Sequence, residues 1–309
     1  MAFTLRNCTI IQDGRDRRAH SREGIVALDF SEIRKLTIVA LFSDDKLMEQ
    51  LVLKGGNAIS LVFGYGARSS LDLDFSIEGD FADFENAQRR IFAALKDRFS
   101  SAGIEVFDEH FERKPARQPN QPDWWGGYEL SFKIIERRSE VFLRGDLAAM
   151  RRSAATIGPS QQRVFRVQIS RFEYCKGKIE TEFDNYTIYV YTPAMIIVEK
   201  LRAICQQMPE YEPRVHSTAR ARDFYDIHLV MTSSNLRFTN PDCIELIPPI
   251  FQAKKVPLHL IAKISEQREF HRPDWPAVRA SVPAKLEEFD FYFDFVVEQT
   301  LPLKSLWEE

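Results

Sequence analysis

Two aspartates one residue apart, in Leu71-Asp72-Leu73-Asp74-Phe75, are the first residues in this chain whose type and spacing could do chemistry. In an extended strand side chains two apart share a face, so Asp72 and Asp74 project together while Leu71, Leu73 and Phe75 point into a core. Adjacent carboxylates repel and raise one pKa unless a divalent cation holds both. Hard oxygen ligands of this kind suit Mg²⁺ or Mn²⁺, which take their remaining ligands from water and phosphate. Just upstream, Leu51-Val52-Leu53 reads as a short buried strand that ends in Lys54-Gly55-Gly56 and opens into a helix. Glycines let backbone N–H groups approach an anion, and a helix N-terminus is partially positive, so phosphates could sit at this turn beside Lys54. The turn is neither a Walker A loop nor a dinucleotide fingerprint, since neither glycine pattern is present. Taken singly, an Asp-x-Asp pair or a Gly-Gly turn recurs by chance.

Further along, Ala194, Ile197, Val198, Leu201, Ile204 and Cys205 form an apolar stripe on one helix, leaving Lys200 at its flank with reach into a cleft and Glu199 opposite. On the next helix Asp223, Asp226, Ile227 and Val230 recur three and four apart, so both carboxylates border an apolar face. Partly buried carboxylates need partners, and Lys200, Arg220 and Arg222 are at hand. Spacing alone fits a catalytic cluster or a salt-bridged helix pair that braces the domain.

Lys54-Gly55-Gly56, Arg68, Ser70, Asp72 and Asp74 together resemble the signature of the AbiEii/AbiGii nucleotidyltransferase toxin family. Its later motifs also have counterparts here, in Glu199-Lys200-Leu201-Arg202-Ala203 and Arg220-Ala221-Arg222-Asp223-Phe224-Tyr225-Asp226-Ile227, so that the resemblance runs from about Leu51 to Val230. It implies an α+β nucleotidyltransferase domain of the DNA polymerase β type, with a mixed sheet, followed by a helical domain that completes the cleft. It implies NTP as substrate, Mg²⁺ or Mn²⁺ on Asp72 and Asp74, and phosphate binding by Lys54, Gly55, Gly56, Asn57, Arg68, Ser70 and Arg222. In MenT-like toxins a strand Asp, the helix Lys and a later Asp are required. That implies catalytic roles for Asp72 or Asp74, Lys200, and Asp223 or Asp226. The implied acceptor is RNA, a tRNA 3′ end, whose modification blocks translation, with an antitoxin encoded by a neighbouring gene as partner. The same family includes phage-defence systems.

The sequence departs from that pattern twice. Asn57 stands where Ser or Thr commonly follows the glycines, although it can still donate to phosphate. Gln168, in Val164-Phe165-Arg166-Val167-Gln168-Ile169, occupies the strand where such folds often carry a third carboxylate, and an amide cannot act as a base. Glu129, Glu173 and Asp226 are unranked substitutes. Two rival readings therefore stay open: transfer to a protein or small-molecule hydroxyl, and an idle nucleotidyltransferase-like module that binds RNA or protein.

The elements that must position these residues follow from periodicity and punctuation. Ser31 could cap a helix running to about Gln50; Asn57 to Phe63 reads as a short helix, Gly64-Tyr65-Gly66 as a turn, Leu71 to Ile77 as a strand and Phe84 to Phe99 as a helix. Strands follow at Ile104 to Phe111, Tyr128 to Ile135, Val164 to Phe172 and Thr187 to Tyr191. The loop Pro115 to Gly127 carries Trp124-Trp125, which could stack on bases or anchor the loop. From Pro193 onward the pattern is helical, dividing the chain into 1–192 and 193–309.

Composition bounds the rest. With 309 residues and 44% hydrophobic content, the chain can bury one large core or two smaller ones. No apolar run is long enough for a membrane span or shaped like a secretory signal, which places the protein in the cytoplasm. Cys8, Cys175, Cys205 and Cys243 are far apart and read as buried or inert thiols. The net charge of −3 argues against indiscriminate nucleic-acid binding. Yet between Glu136 and Arg171 eight arginines face three acids, so a solvated face and an RNA-facing patch, with Arg137, Arg138, Arg151 and Arg152 as contacts, are both open. His228 and the aromatics Phe289, Phe291, Tyr292, Phe293 and Phe295 read as packing or partner surface.

Overall fold

The computed structural model describes residues 30–66, 72–116, 122–156, 161–213 and 216–308. Cys8, Arg68 and Ser70 lie outside the described residues. The chain opens with α1 (Phe30–Phe42) and α2 (Asp45–Gln50) rather than the single helix expected from Ser31 to Gln50. The break occurs because the Asp44 side chain accepts from the Lys46 and Leu47 N–H groups at 3.0 Å and starts a new helix. Strand β1 (Val52–Lys54) leads directly into α3 (Gly55–Asn57), which continues as a π-helical turn over Ala58–Val62, and β2 (Leu73–Ser76) follows.

The middle of the chain contains α4 (Phe84–Ser101), β3 (Ile104–Lys114), β4 (Gly127–Glu136), α5 (Glu140–Leu143), α6 (Leu147–Ser153), β5 (Phe165–Ser170), β6 (Ile179–Phe183) and β7 (Tyr186–Val190). Three of these, α5, α6 and β6, have weak sequence patterns: β6 has no fully buried residue, and α5 has none either. After β7 every element is helical: α7 (Pro193–Cys205), α8 (Ala221–Ser234), α9 (Pro241–Ala253), α10 (Arg268–His271), α11 (Trp275–Ser281), α12 (Phe289–Thr300) and intervening 3₁₀ turns. Thr192 caps α7 by accepting from Met195, with Pro193 in the first turn.

The strands form one mixed seven-stranded sheet in the order β3-β4-β5-β2-β1-β7-β6. β1 pairs antiparallel with β2 and parallel with β7, whereas β2 pairs parallel with β5. One face of its centre is buried under α1 and α4 through Leu53, Leu73, Phe75, Leu130, Val167 and Ile169, all of them 0–1% exposed. Alternation then places Lys54, Asp74, Gln168 and Glu129 on the opposite face. The hydrophobic core continues without interruption into the C-terminal helices, where Phe224 stacks on Phe293 at 5.1 Å and meets Phe289 edge-on. His228 packs against Phe295 at 4.7 Å, while Phe291 is half exposed. Cys175, Cys205 and Cys243 are buried thiols without disulfides. Among the described residues no helix is long and apolar enough to cross a membrane.

Candidate active site

The face of the sheet that α1 and α4 leave open borders a cavity of about 610 Å³, closed on its other side by residues of α7, α8 and Lys254 just beyond α9. Lys54, Gly55, Gly56, Asp72, Asp74, Lys200, Arg222 and Asp223 all line it. Asn57 and Asp226 stand behind this lining, and Arg137, Arg138, Arg151 and Arg152 do not reach it.

Register sets the strand wall. Lys54 lies opposite Asp74, Asp74 beside Gln168, and Gln168 beside Glu129, so four adjacent strands present one row of polar side chains. The turn after Lys54 is shaped around Asp74. Gly55 has a φ of +69°, and a Cβ there would stand 2.7 Å from Asp74 Oδ2, so only glycine lets the backbone approach the carboxylate this closely. Asn57 spends its side chain within the fold: its amide donates to the Asp72 carbonyl at 2.6 Å, and its Oδ1 accepts from Arg34 at 3.0 Å. It therefore secures the start of β2, and its side chain does not face the cavity.

Burial pushes the Asp74 carboxyl up to about 6 against the pull of Lys54 and Arg222, with Asp72 and Glu199 adding repulsion. Asp72 is also raised, mainly by desolvation, with Arg166 and Arg222 opposing. Lys54 is buried and donates to Ser170 Oγ at 3.1 Å, with Glu199 at 3.4 Å and Glu173 at 3.6 Å. Desolvation would lower its pKa, but the two glutamates more than offset that and hold the ammonium charged.

The helix wall is organised differently. Lys200 is buried with Asp223 Oδ1 at 2.9 Å and Asp226 Oδ2 at 2.7 Å, so its charge is already matched. Arg220 also binds Asp223. Burial alone would raise Asp223, but Arg220, Lys200 and Arg222 hold its carboxyl well below the usual range. Arg222 is exposed at the cavity, and among the described residues no ion pair occupies its guanidinium.

Glu199, which helical spacing places opposite the apolar stripe, lines the cavity. Helix α7 packs against α8 and α9, and its remaining flank borders the cavity. Glu199 consequently meets Lys54 and, at 3.0 Å, Arg202. Arg202 is fully buried and binds Glu173 at 2.6 Å, and Lys254 reaches the same Glu173 at 3.6 Å. Three cations around Glu173 outweigh its desolvation and hold it strongly acidic, which makes it the anchor of an ion network rather than a proton acceptor. Glu199 and Arg202, three apart on one helix, could have been found as a pair from spacing. Lys254 carries no such signal, because it arrives from a distant segment.

Trp125 lines the cavity and packs on Tyr211 at 5.9 Å, so it both anchors its loop and shapes the site. The arginine-rich segment is largely spent on internal partners. Arg151 binds Asp108 through two bonds of 2.8 Å, Arg137 lies 3.3 Å from Glu105, and Arg138 lies 3.2 Å from Glu136. Arg171 is buried against Asp80 and the Trp125 carbonyl. Arg152 is exposed on α6.

The family profile described as nucleotidyl transferase AbiEii toxin, type IV TA system, matches residues 37–295. No curated protein matches the chain. Among solved structures, a protein of H. pylori described as a nucleotidyltransferase is 17% identical, with a TM-score of 0.48, over 93% of this chain and all of that one. The JHP933 protein from Helicobacter pylori is 16% identical, with a TM-score of 0.46, over 92% of this chain and 99% of its own. ANT(2″)-Ia, in complex with adenylyl-2″-tobramycin, is 14% identical, with a TM-score of 0.33, over 73% of this chain and 98% of its own.

Proposed function

The chain belongs to the AbiEii nucleotidyl transferase toxin family, and we propose that its cavity binds an NTP and passes the nucleotide to a hydroxyl of RNA, the 3′ end of a tRNA, so blocking aminoacylation. The observation that carries the reading is Asp74 pressed against Gly55 of the Lys54-Gly55-Gly56 turn, with Asp72 beside it in the cavity lining. Asp74 lies on the polar face of β2 with its carboxyl pushed up to about 6, Asp72 immediately precedes the strand and lines the same cavity, and the missing Cβ of Gly55 leaves room that any other residue would fill.

These two carboxylates suit Mg²⁺ or Mn²⁺ travelling with the triphosphate: the donors are hard oxygens, and a cation would relieve their repulsion. Among the described residues no cluster of three or more His, Cys, Asp and Glu side chains forms a self-sufficient metal cage. That suits an ion that completes its coordination with phosphate and water. When bound, such an ion would neutralise charge on the phosphates and orient them. Lys54 and the backbone N–H groups of Gly55, Gly56 and Asn57 would receive the β- and γ-phosphates. Arg222, which has no competing ion pair among the described residues, would meet charge developing at the α-phosphoryl group. Lys200, matched by Asp223 and Asp226, would hold α7 against α8 and fix the second wall. The domain division near residue 192 would then serve the reaction, with the sheet carrying the phosphates and the helices closing over them. An antitoxin, as the type IV description implies, would restrain the protein.

The test is to incubate the purified protein, Mg²⁺ and each α-labelled NTP with total tRNA and cell protein, then separate the products on gels. Label on tRNA is the expected result. Label on protein alone would move the acceptor to a protein hydroxyl, and no label from any NTP would overturn nucleotidyl transfer itself.

A further inference from the structure

We infer that Glu129 is the general base that takes the proton from the acceptor hydroxyl, an inference that rests on the nucleotidyl-transfer reading of the cavity. Phosphoryl-type displacement places the attacking and leaving oxygens roughly in line through phosphorus. The Lys54-Gly55-Gly56 end on β1, where β- and γ-phosphates would sit, defines the leaving side, and Asp74 on β2 marks the α-phosphorus. The acceptor oxygen therefore enters from the opposite side of Asp74, which is the side of β5 and β4.

Only two side chains of the polar row lie there, Gln168 and Glu129. Gln168 is adjacent to Asp74 but has no basic lone pair to protonate. Glu129 is next in register, half-buried, and lines the same cavity about two strand spacings, or roughly 10 Å between backbones, from Asp74. The groups that face it are Arg166 on β5, whose Nε is 4.0 Å away, and Glu112 opposite it on β3, which is itself bound by Lys114 at 2.8 Å. Arg166 at that distance restrains Glu129 without closing its carboxylate in a tight ion pair.

The other carboxylates are committed elsewhere. Glu173 is surrounded by Arg202, Lys54 and Lys254, and Asp226 is buried on Lys200. In the step itself the acceptor oxygen forms its bond to the α-phosphorus as the bond to the bridging oxygen breaks. Pyrophosphate leaves, and the hydroxyl proton passes to a Glu129 oxygen and then to water. The charge and the atoms balance with no further reactant.

The experiment compares wild type, Glu129→Gln and the double variant Glu129→Gln with Gln168→Glu in the same labelled-NTP assay, with NTP affinity and melting temperature measured alongside. General-base catalysis contributes about 10²–10⁴-fold. Glu129→Gln is expected to slow transfer by at least about a hundredfold with NTP affinity and melting temperature unchanged, and the second substitution, returning a carboxylate beside Asp74, to recover part of that loss. A Glu129→Gln rate within about threefold of wild type, or a loss shared equally by NTP affinity, would overturn the assignment. Absence of transfer by the wild type would instead overturn the nucleotidyl-transfer reading, and the base with it.

Discussion

Asp74 and Asp223 face each other across one cavity, are the same residue type and are both desolvated, yet their proton affinities move in opposite directions. On the strand wall, burial and the neighbouring carboxylates Asp72 and Glu199 leave Asp74 at about 6 despite Lys54 and Arg222. On the helix wall, Arg220, Lys200 and Arg222 overcome the same burial and keep Asp223 firmly ionised. Burial raises both, so the difference lies in their neighbours. The strand wall keeps unrelieved negative charge, as expected of a site built to take a cation with its substrate. The helix wall is already neutralised by its own ion pairs, as expected of a brace.

The largest expected effects test this contrast directly. Asp74→Asn should abolish nucleotide transfer and growth arrest, a loss on the order of 10³-fold or more if the ion is lost. It should also raise the melting temperature of the free protein at pH 7.5, because an ionised carboxylate with a raised pKa is held at a cost. Lys200→Met should do the reverse to stability. Stripping the cation from between two buried aspartates typically costs about 3–5 kcal/mol, which in a protein of this size lowers the melting temperature by roughly 10 °C. Thermal melts together with turnover per folded molecule separate the two walls. A Lys200→Met protein that melts like wild type but turns over a hundredfold more slowly would place Lys200 on the substrate instead.

A smaller effect concerns pH. A group whose folded pKa is raised loses stability as pH rises through the interval from its unfolded value to the folded one, here from the ordinary carboxylate value to about 6. The free protein should therefore be destabilised by Asp74 ionisation above about pH 6, while cation binding, which needs the ionised form, should weaken below it. Mn²⁺ titrations followed by magnetic resonance between pH 5 and pH 8 measure this. Affinity that is flat across that range would remove Asp74 from the ion.

The smallest expected effect lies outside both walls. If α6 contacts an RNA backbone, Arg152→Gln should reduce the salt dependence of tRNA binding by about one phosphate contact. Arg151→Gln should change it less, because Asp108 already holds Arg151 through two bonds. Affinities measured over a salt series decide this, and equal slopes for both variants would turn this face toward solvent or an antitoxin.

The strand wall was legible from the residues alone because its information is local. Alternation puts Asp74 on the polar face of β2, and the Gly-Gly pair that the sequence offers for a close backbone approach includes Gly55, whose φ of +69° favours glycine. The α+β order, the helical character after Pro193 and the family itself were readable for the same reason, since periodicity, caps and motif spacing are properties of short windows. Other features depended on which distant segments meet. Glu199 meets Lys54 because the flank of α7 away from its apolar stripe borders the cavity beside β1, a fact that its own sequence does not contain. Lys254 joins Glu173 and Arg202 from beyond α9, and Arg151 on α6 is paired with Asp108 on β3. The row Lys54, Asp74, Gln168 and Glu129 exists only through strand order and register. Residue type determines what a side chain can do; the charge left over after its tertiary neighbours have bound it determines what remains for a substrate.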